Sequence, residues 1–213
     1  MRIAILGWGS LIWDRRDLPI TGDWQGDGPV LPIEFSRISD NGLPAPPDFA
    51  SRQAGRLTLV IDERHGADVP TRYALSPCLP RRGTRRRQAR SSLGEAVTDL
   101  QRREGCAADN IGFLEVATHR VSPRAAERHP AACERIKTWA AGKGFDAVVW
   151  TALGRRFKNR INVPFSPAAA VRFLQGLPDP QKESALEYLR NAPPEVMTPV
   201  RTAAIQAGLI AGP

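Results

Sequence analysis

A glutamate at the end of a predicted helix is the residue of this sequence best suited to acid–base chemistry. Ser92 and Glu95 form a capping box, which predicts that a helix begins at Ser92. At about 100° per residue, Glu104 falls on the same apolar stripe as Leu93. A carboxylate on a core-facing stripe is costly unless it is paired or neutral, and such a position suits a general acid/base. The alternative is that the helix ends there, because Gly105 is a typical C′ residue, and the side chain turns to solvent.

A glycine-containing turn follows the first predicted strand, residues 2–6. The turn consists of Gly7, Trp8, Gly9, Ser10 and Leu11. It does not fit a dinucleotide-binding fingerprint, because Ile12 stands at the position of the third glycine, and it lacks the G-x-S-x-G of serine hydrolases. The backbone N–H groups of such a turn can form a concave site for an anion, for example a substrate carboxylate. A turn that merely ends a strand is the alternative.

In this order, the two segments resemble the γ-glutamylcyclotransferase-like family, and most closely its ChaC-type branch. Residues 5–13, Ile-Leu-Gly-Trp-Gly-Ser-Leu-Ile-Trp, are similar to the opening motif F/W-G-Y-G-S-L-I-W of that branch. Residues 100–105, Leu-Gln-Arg-Arg-Glu-Gly, resemble the family's helix that ends with the catalytic glutamate. Gly112-Phe113 and residues 147–150 resemble later landmarks. The resemblance covers roughly residues 3–151 and leaves the chain from Ser166 onward unexplained.

The resemblance implies an enzyme that releases 5-oxoproline from a γ-glutamyl amide by intramolecular aminolysis, as in glutathione metabolism, with no metal and no cofactor. It implies that Glu104 is the catalytic general acid/base. The implied substrate-binding residues, for the glutamyl carboxylate or the developing oxyanion, are Gly7, Trp8, Gly9, Ser10 and Leu11. Glutathione, a γ-glutamyl dipeptide and a γ-glutamylamine are all compatible substrates. A different reaction of the same site, such as removal of a γ-glutamyl protecting group, is also compatible with the resemblance.

Three aromatic residues depart from the family pattern. Trp8, Phe113 and Trp150 stand where the family usually has tyrosine. If a tyrosine hydroxyl orients the substrate in the family, these three positions do not provide one. The backbone of the turn is unaffected by this change, so the departure concerns specificity.

Composition and length predict one folded domain over residues 1–213. The 213 residues are 42% hydrophobic and 24% charged, which excludes a long disordered chain or a coiled coil.

No apolar run approaches a membrane span, and the N-terminus lacks a signal-peptide cleavage site, so we expect a cytoplasmic protein with no membrane partner. The three cysteines form no CxxC pair and the three histidines lie at no metal-ligand spacing, so neither a disulfide framework nor a metal site is expected.

Six arginines supply most of the net charge of +8. They lie within residues 81–90. The six are Arg81, Arg82, Arg85, Arg86, Arg87 and Arg90. Subtracting their six charges from +8 leaves +2 for the rest of the chain. No aromatic residue is interleaved to stack bases, so a solvated loop is favoured over nucleic-acid binding. The alternative function follows from this segment: a catalytically inactive or repurposed member of the fold that binds a partner or nucleic acid through it.

The predicted elements give an α+β fold, because strands dominate the first two thirds and helices the end. Strands are expected over residues 2–6, 30–38, 56–62, 71–76, 112–121 and 146–151, with a loop over 39–55. Helix starts are predicted at His129-Pro130, Ser166-Pro167, Asp179-Pro180 and Thr198-Pro199. With the family resemblance, this indicates a small mixed β-barrel or sheet with surrounding helices, its core at about 1–151 and a C-terminal helical cover at about 152–213.

Four polar residues in or after the strands are weaker candidates. Arg37 and Ser39 leave the second of these strands and could line the cavity of the site, although a surface position is the favoured interpretation. Glu34 and Glu115 lie within predicted strands, and solvent-facing positions are expected for both.

Overall fold

The computed structural model describes residues 1–40, 54–77 and 92–212. Within these ranges the chain has a mixed α+β fold with two sheets, neither of which closes into a barrel. It divides into two compact units. The first comprises residues 1–7, 14–30 and 70–153, and the second residues 8–13, 31–69 and 154–213. The expected single domain therefore stays a prediction. The predicted arginine-rich loop and most of the predicted loop at 39–55 lie outside the described residues.

A six-stranded sheet forms the core of the first unit. Its strands, in sheet order, are β2 (Thr21–Gln25), β6 (Arg72–Leu75), β1 (Ile3–Gly7), β9 (Ala147–Thr151), β7 (Ile111–Glu115) and β8 (Arg120–Val121). β1 pairs in parallel with β9 and antiparallel with β6, so the sheet is mixed. All five residues of β1 are buried, as expected for a central strand covered on both faces. This explains why β1 reads as an uninterrupted apolar run.

Three helices accompany this sheet: α1 (Ser92–Glu104), α2 (Pro123–Arg128) and α3 (Pro130–Gly142). α1 packs against β9, β7 and β1, while α3 contacts β7 and β9. A 3₁₀ turn at Ala108–Asn110 joins α1 to β7. Ile136 and Cys133 of α3 are buried.

The second unit combines a three-stranded sheet with four helices. The sheet order is β4 (Arg56–Ile61), β3 (Val30–Ser39) and β5 (Ala67–Pro70). The helices are α4 (Phe157–Ile161), α5 (Pro167–Gln175), α6 (Asp179–Asn191) and α7 (Pro199–Gln206). α6 packs against β4, and α5 packs against both α6 and α7.

Two helix starts of the second unit are confirmed at the level of hydrogen bonds. The Ser166 side chain accepts the N–H of Ala169, and the Thr198 side chain accepts the N–H of Arg201. Asp179 is different: it is the first residue of α6 and not its N-cap.

One strand prediction needs correction, and two strands were missed. The segment at 112–121 is a hairpin, β7 and β8, because the chain turns at residues 116–119, where His119 has a φ of 55°. Ser122 stabilises this hairpin, since its Oγ accepts the N–H of Phe113 at 3.2 Å. The short strands β2 and β5 were not predicted, because their mostly exposed sequences show no apolar alternation.

Candidate functional site

Glu104 is the last residue of α1, and the helix ends in the way that Gly105 predicts. The N–H of Gly105 bonds the carbonyl of Gln101 at 2.9 Å, and Gly105 has a φ of 60° in the left-handed region. This is a glycine C′ termination. The Glu104 side chain is nevertheless not free in solvent, because only 16% of it is exposed.

Arg103, not Glu104, takes the last position of the buried stripe. The buried residues of α1 are Leu93, Ala96, Leu100 and Arg103. The predicted place of Glu104 on this stripe is therefore off by one residue. The wheel predicted Glu104 in the middle of the stripe, but the buried face is centred between Ala96 and Leu100. Arg103 falls on that face, and its apolar stem can be buried.

A buried guanidinium fixes the Glu104 carboxylate. Arg103, 5% exposed at the side chain, donates from Nη1 to Glu104 Oε1 at 2.6 Å. Its Nη2 donates to the backbone carbonyl of Asp14, and Arg16 donates back to the Arg103 carbonyl at 3.5 Å. Within the described residues, Arg103 is the only hydrogen-bond donor to this carboxylate. One carboxylate oxygen is thus anchored, and the other has no protein donor in the part of the chain that the structure describes.

The turn after β1 is tightly packed. Trp8 is buried, and its indole N–H donates to the carbonyl of Leu59 at 3.4 Å. The N–H of Ile12 closes the turn on the carbonyl of Gly9 at 2.9 Å. Leu11 is buried as well, whereas Ser10 is partly exposed. The turn is therefore a defined structure with Ser10 at its accessible position.

The glycine at position 9 is required by a neighbouring side chain and not by backbone conformation. Neither Gly7 nor Gly9 has a positive φ. A Cβ placed on Gly9 would lie 2.8 Å from the hydroxyl oxygen of Tyr188 in α6, too close for any larger residue unless Tyr188 moved. The close approach of a tyrosine hydroxyl to this turn could not be read from the sequence.

Tyr188 is held on three sides. Its ring makes edge contacts with Trp13, at a centroid distance of 5.2 Å, and with Phe35, at 6.3 Å. The guanidinium carbon of Arg56 lies 4.9 Å from the ring centroid, a cation–π geometry. Tyr188 is 7% exposed, so its hydroxyl has a fixed place beside the turn.

Two aromatic residues of the first unit, Trp150 and Phe113, have packing roles. Trp150 is fully buried against Gly112, where a Cβ would come within 2.4 Å of the indole ring. Phe113 lies under the guanidinium of Arg120 at 4.9 Å. Gly112 is thus explained by the volume of Trp150, which fills the core.

The structure distributes the predicted site residues over both units. Gly7 and Glu104 belong to the first unit, and Trp8, Gly9, Ser10 and Leu11 belong to the second. Arg37 and Ser39 carry structural hydrogen bonds: Arg37 donates to the carbonyl of Gly154 at 2.9 Å and to Ser39 Oγ at 3.3 Å.

Glu34 is a buried acid that the sequence interpretation placed in solvent. It is 0% exposed, and its carboxyl oxygens accept the N–H groups of Phe35 at 2.7 Å and Val200 at 3.3 Å. Burial raises the pKa of Glu34 to about 7, against hydrogen bonds, first from Thr198, that lower it. The prediction failed because β3 is bulged between Glu34 and Arg37 and buried on both faces, so strand alternation does not apply.

Glu115, the other strand glutamate, is partly exposed and closes the β7–β8 hairpin. Its Oε2 accepts the hydroxyl of Thr118 at 2.6 Å and Nε of Arg120 at 3.4 Å. These hydrogen bonds, with that of Thr118 the stronger, lower the pKa of Glu115. Its role is local and structural.

The described residues contain no group of three or more histidine, cysteine, aspartate or glutamate side chains arranged to hold a metal ion. No helix among them has the length and apolarity needed to cross a membrane. Comparison of the chain with protein-family models, curated proteins and solved structures found no match.

Proposed function

We propose that the chain is a cytoplasmic γ-glutamylcyclotransferase-like enzyme, with that family's fold, that cleaves a γ-glutamyl amide without a cofactor. The α-amine of the substrate attacks the carbonyl carbon of its own side-chain amide, and the new C–N bond closes a five-membered ring. The original amide C–N bond then breaks. The attacking nitrogen loses a proton and the leaving nitrogen gains one, so the products are 5-oxoproline and a free amine.

The environment of Glu104 is the observation that carries this proposal. Proton transfer needs a carboxylate that is positioned yet has a lone pair within reach of the substrate. Arg103 fixes Glu104 Oε1, while Oε2 accepts no hydrogen bond from the described residues, and part of the side chain reaches solvent. Glu104 is accordingly assigned to accept the proton of the attacking amine and return it to the leaving nitrogen.

The remaining catalytic requirement is to hold the folded conformer of the substrate. Ring closure is intramolecular, so correct orientation supplies much of the rate acceleration. The turn formed by Gly7, Trp8, Gly9, Ser10 and Leu11 is assigned to bind the glutamyl group, with its backbone N–H groups as preorganised donors. Its tight packing supports that role, since a fixed turn loses little entropy on binding.

The test is 5-oxoproline release from glutathione, a γ-glutamyl dipeptide and a γ-glutamylamine by the wild type and Glu104→Gln. Loss of the acid/base should lower kcat by about a hundredfold to ten-thousandfold. Glu95→Gln, in the first turn of the same helix, is the matched control, because it makes the same charge change at the opposite end of α1. It should keep wild-type activity.

Two results would contradict the proposal. Folded wild-type protein that releases no 5-oxoproline from any of the three compounds would exclude this reaction class. Activity that survives in Glu104→Gln would leave the reaction in place and remove the glutamate from it.

A further inference from the structure

The side-chain groups beside the Gly9 turn form a corner of the second unit suited to an anion. The Tyr188 hydroxyl lies against Gly9, at 2.8 Å from the position that a Cβ would occupy. The Arg56 guanidinium lies over the ring of the same tyrosine. One neutral donor thus lies against the turn, and one permanent positive charge lies over the ring that carries this donor.

The side chain of Arg56 is not fully used by the described part of the protein. Arg56 Nε is buried and has no hydrogen-bond partner among the described residues. A buried donor without a partner costs free energy, and a ligand that accepts its hydrogen bond recovers that loss. The observation therefore points to an acceptor that the described residues do not supply.

Arg56 contacts an aromatic ring where an acidic partner would be expected. No ion pair of Arg56 with an aspartate or glutamate occurs within the described ranges, and its described partner is the face of Tyr188. Cation–π contact orients the guanidinium without neutralising it. Its charge stays available to a bound carboxylate, with which arginine makes its strongest hydrogen bonds.

We infer that Tyr188 and Arg56, together with the Gly9 turn, bind the α-carboxylate of the γ-glutamyl substrate. The inference rests on the proposed function and extends it in one respect, because it assigns this corner to the carboxylate and not to the developing oxyanion. It also gives α6, which lies beyond the region of family resemblance, a role in specificity. The tyrosine hydroxyl that Trp8 cannot supply comes from Tyr188.

The two assignments differ in kinetics. A carboxylate is present in the ground state and in the transition state, so groups that bind it change KM more than kcat. A group that stabilises the oxyanion acts only in the transition state and changes kcat. The chemical control is the α-carboxamide of the same substrate, which can still cyclise, to 5-oxoprolinamide and the free amine, but has no carboxylate.

The experiment compares kcat/KM for the best γ-glutamyl compound of the panel with kcat/KM for its α-carboxamide. The wild type should prefer the carboxylate. Arg56→Gln should reduce that preference tenfold or more, and Tyr188→Phe by about fivefold, mainly through KM. Tyr73→Phe, at the other tyrosine of the chain, should leave the preference unchanged. Because each preference is a ratio within one protein sample, partial loss of folded enzyme does not alter it.

The outcomes separate the two proposals. If both Arg56→Gln and Tyr188→Phe turn over substrate with an unchanged preference for the carboxylate, the inference is overturned and the proposed function stands. A loss of activity in these variants that is confined to kcat has the same meaning. If the wild type turns over neither compound, the proposed function fails. The affinities for 5-oxoproline and 5-oxoprolinamide, measured by calorimetry, then decide the inference: preference for the acid that falls in Arg56→Gln supports it, and equal or absent binding overturns it.

Discussion

Glu104 at the end of α1 and Glu34 within β3 are both withdrawn from water, one in each unit, and their partners differ. Glu104 retains partial exposure and shares a hydrogen bond with the buried guanidinium of Arg103. Glu34 is fully buried, and its carboxyl group accepts hydrogen bonds from backbone N–H groups and from the Thr198 hydroxyl. No cation contacts Glu34 among the described residues. Nearby Asp62 adds like charge, which raises the pKa of Glu34 further.

The comparison shows why burial alone does not identify a catalytic carboxylate. A guanidinium partner stabilises the anion, whereas uncharged donors leave much of the desolvation penalty in place. Glu104 combines a cationic partner with partial exposure, and proton exchange with a substrate requires an accessible carboxylate. Glu34 lacks that access, and its contacts with Val200 and Thr198 join β3 to the start of α7. We therefore assign chemistry to the first glutamate and structure to the second.

The largest effect should come from removing the cation of the Glu104 site. Arg103→Met keeps an apolar stem but leaves the Glu104 carboxylate and the Asp14 carbonyl without their donor. Breaking a buried ion pair from one side costs roughly 3 kcal/mol or more, and we expect a loss of about that size in the free energy of unfolding, measured with urea. Activity should fall with it, because the carboxylate loses its position.

Arg102→Met is the matched control, on the same helix. Arg102 forms an exposed pair with Asp99 at 3.1 Å, and exposed pairs contribute about 0–1 kcal/mol. The double variant Arg103→Met/Glu104→Gln should recover part of the stability, since it leaves no unpaired carboxylate. Equal losses in Arg102→Met and Arg103→Met would show that the Arg103–Glu104 contact does not fix the site.

The parts of the fold that are visible in the sequence are those set by local interactions. Ser166-Pro167 and Thr198-Pro199 predicted two helices correctly, because an N-cap hydrogen bond joins residues three apart. The end of α1 was predictable from Gly105 for the same reason. The α+β class followed from the order of such elements.

The parts that were missed depend on contacts between distant segments. The burial of Glu34 results from a β-bulge and from α7, which lies more than 160 residues away in the chain. The approach of Tyr188 to Gly9 is likewise a tertiary contact. Arg103 was not predicted as the partner of Glu104, because an arginine is ordinarily exposed and the burial of its long stem depends on tertiary packing.

A smaller effect, with a distinct pH signature, should appear when Glu34 is made neutral. Its pKa is raised from 4.5 to about 7, so the folded state holds the proton more tightly than the unfolded state. This stabilising contribution is complete below about pH 4.5 and is lost as the pH rises through about 7. A shift of this size corresponds to roughly 3 kcal/mol. Wild-type stability should therefore fall over that window, and Glu34→Gln should lack this component.

The measurement is the free energy of unfolding in urea at pH 5 and pH 8, taken as the difference between wild type and Glu34→Gln. The difference removes groups that titrate alike in both proteins, as well as any constant cost of the amide. Glu187→Gln, at an exposed glutamate of α6, is the control and should follow the wild type. Parallel curves for wild type and Glu34→Gln would show that Glu34 does not titrate in this window.

The smallest effect should come from removing the one side chain that donates a hydrogen bond to Glu34 among the described residues, that of Thr198. Thr198→Val removes the N-cap of α7, which costs about 1 kcal/mol, and it also removes the hydrogen bond that lowers the pKa of Glu34. That pKa should rise further, so the loss of stability should continue to higher pH than in the wild type. Ser166→Ala removes the cap of α5 without touching Glu34 and should show a similar loss with the wild-type pH profile. Urea unfolding from pH 5 to pH 9 distinguishes the two variants. If Thr198→Val and Ser166→Ala share one pH profile, Thr198 stabilises α7 alone. The burial of Glu34 is then balanced by backbone N–H groups only.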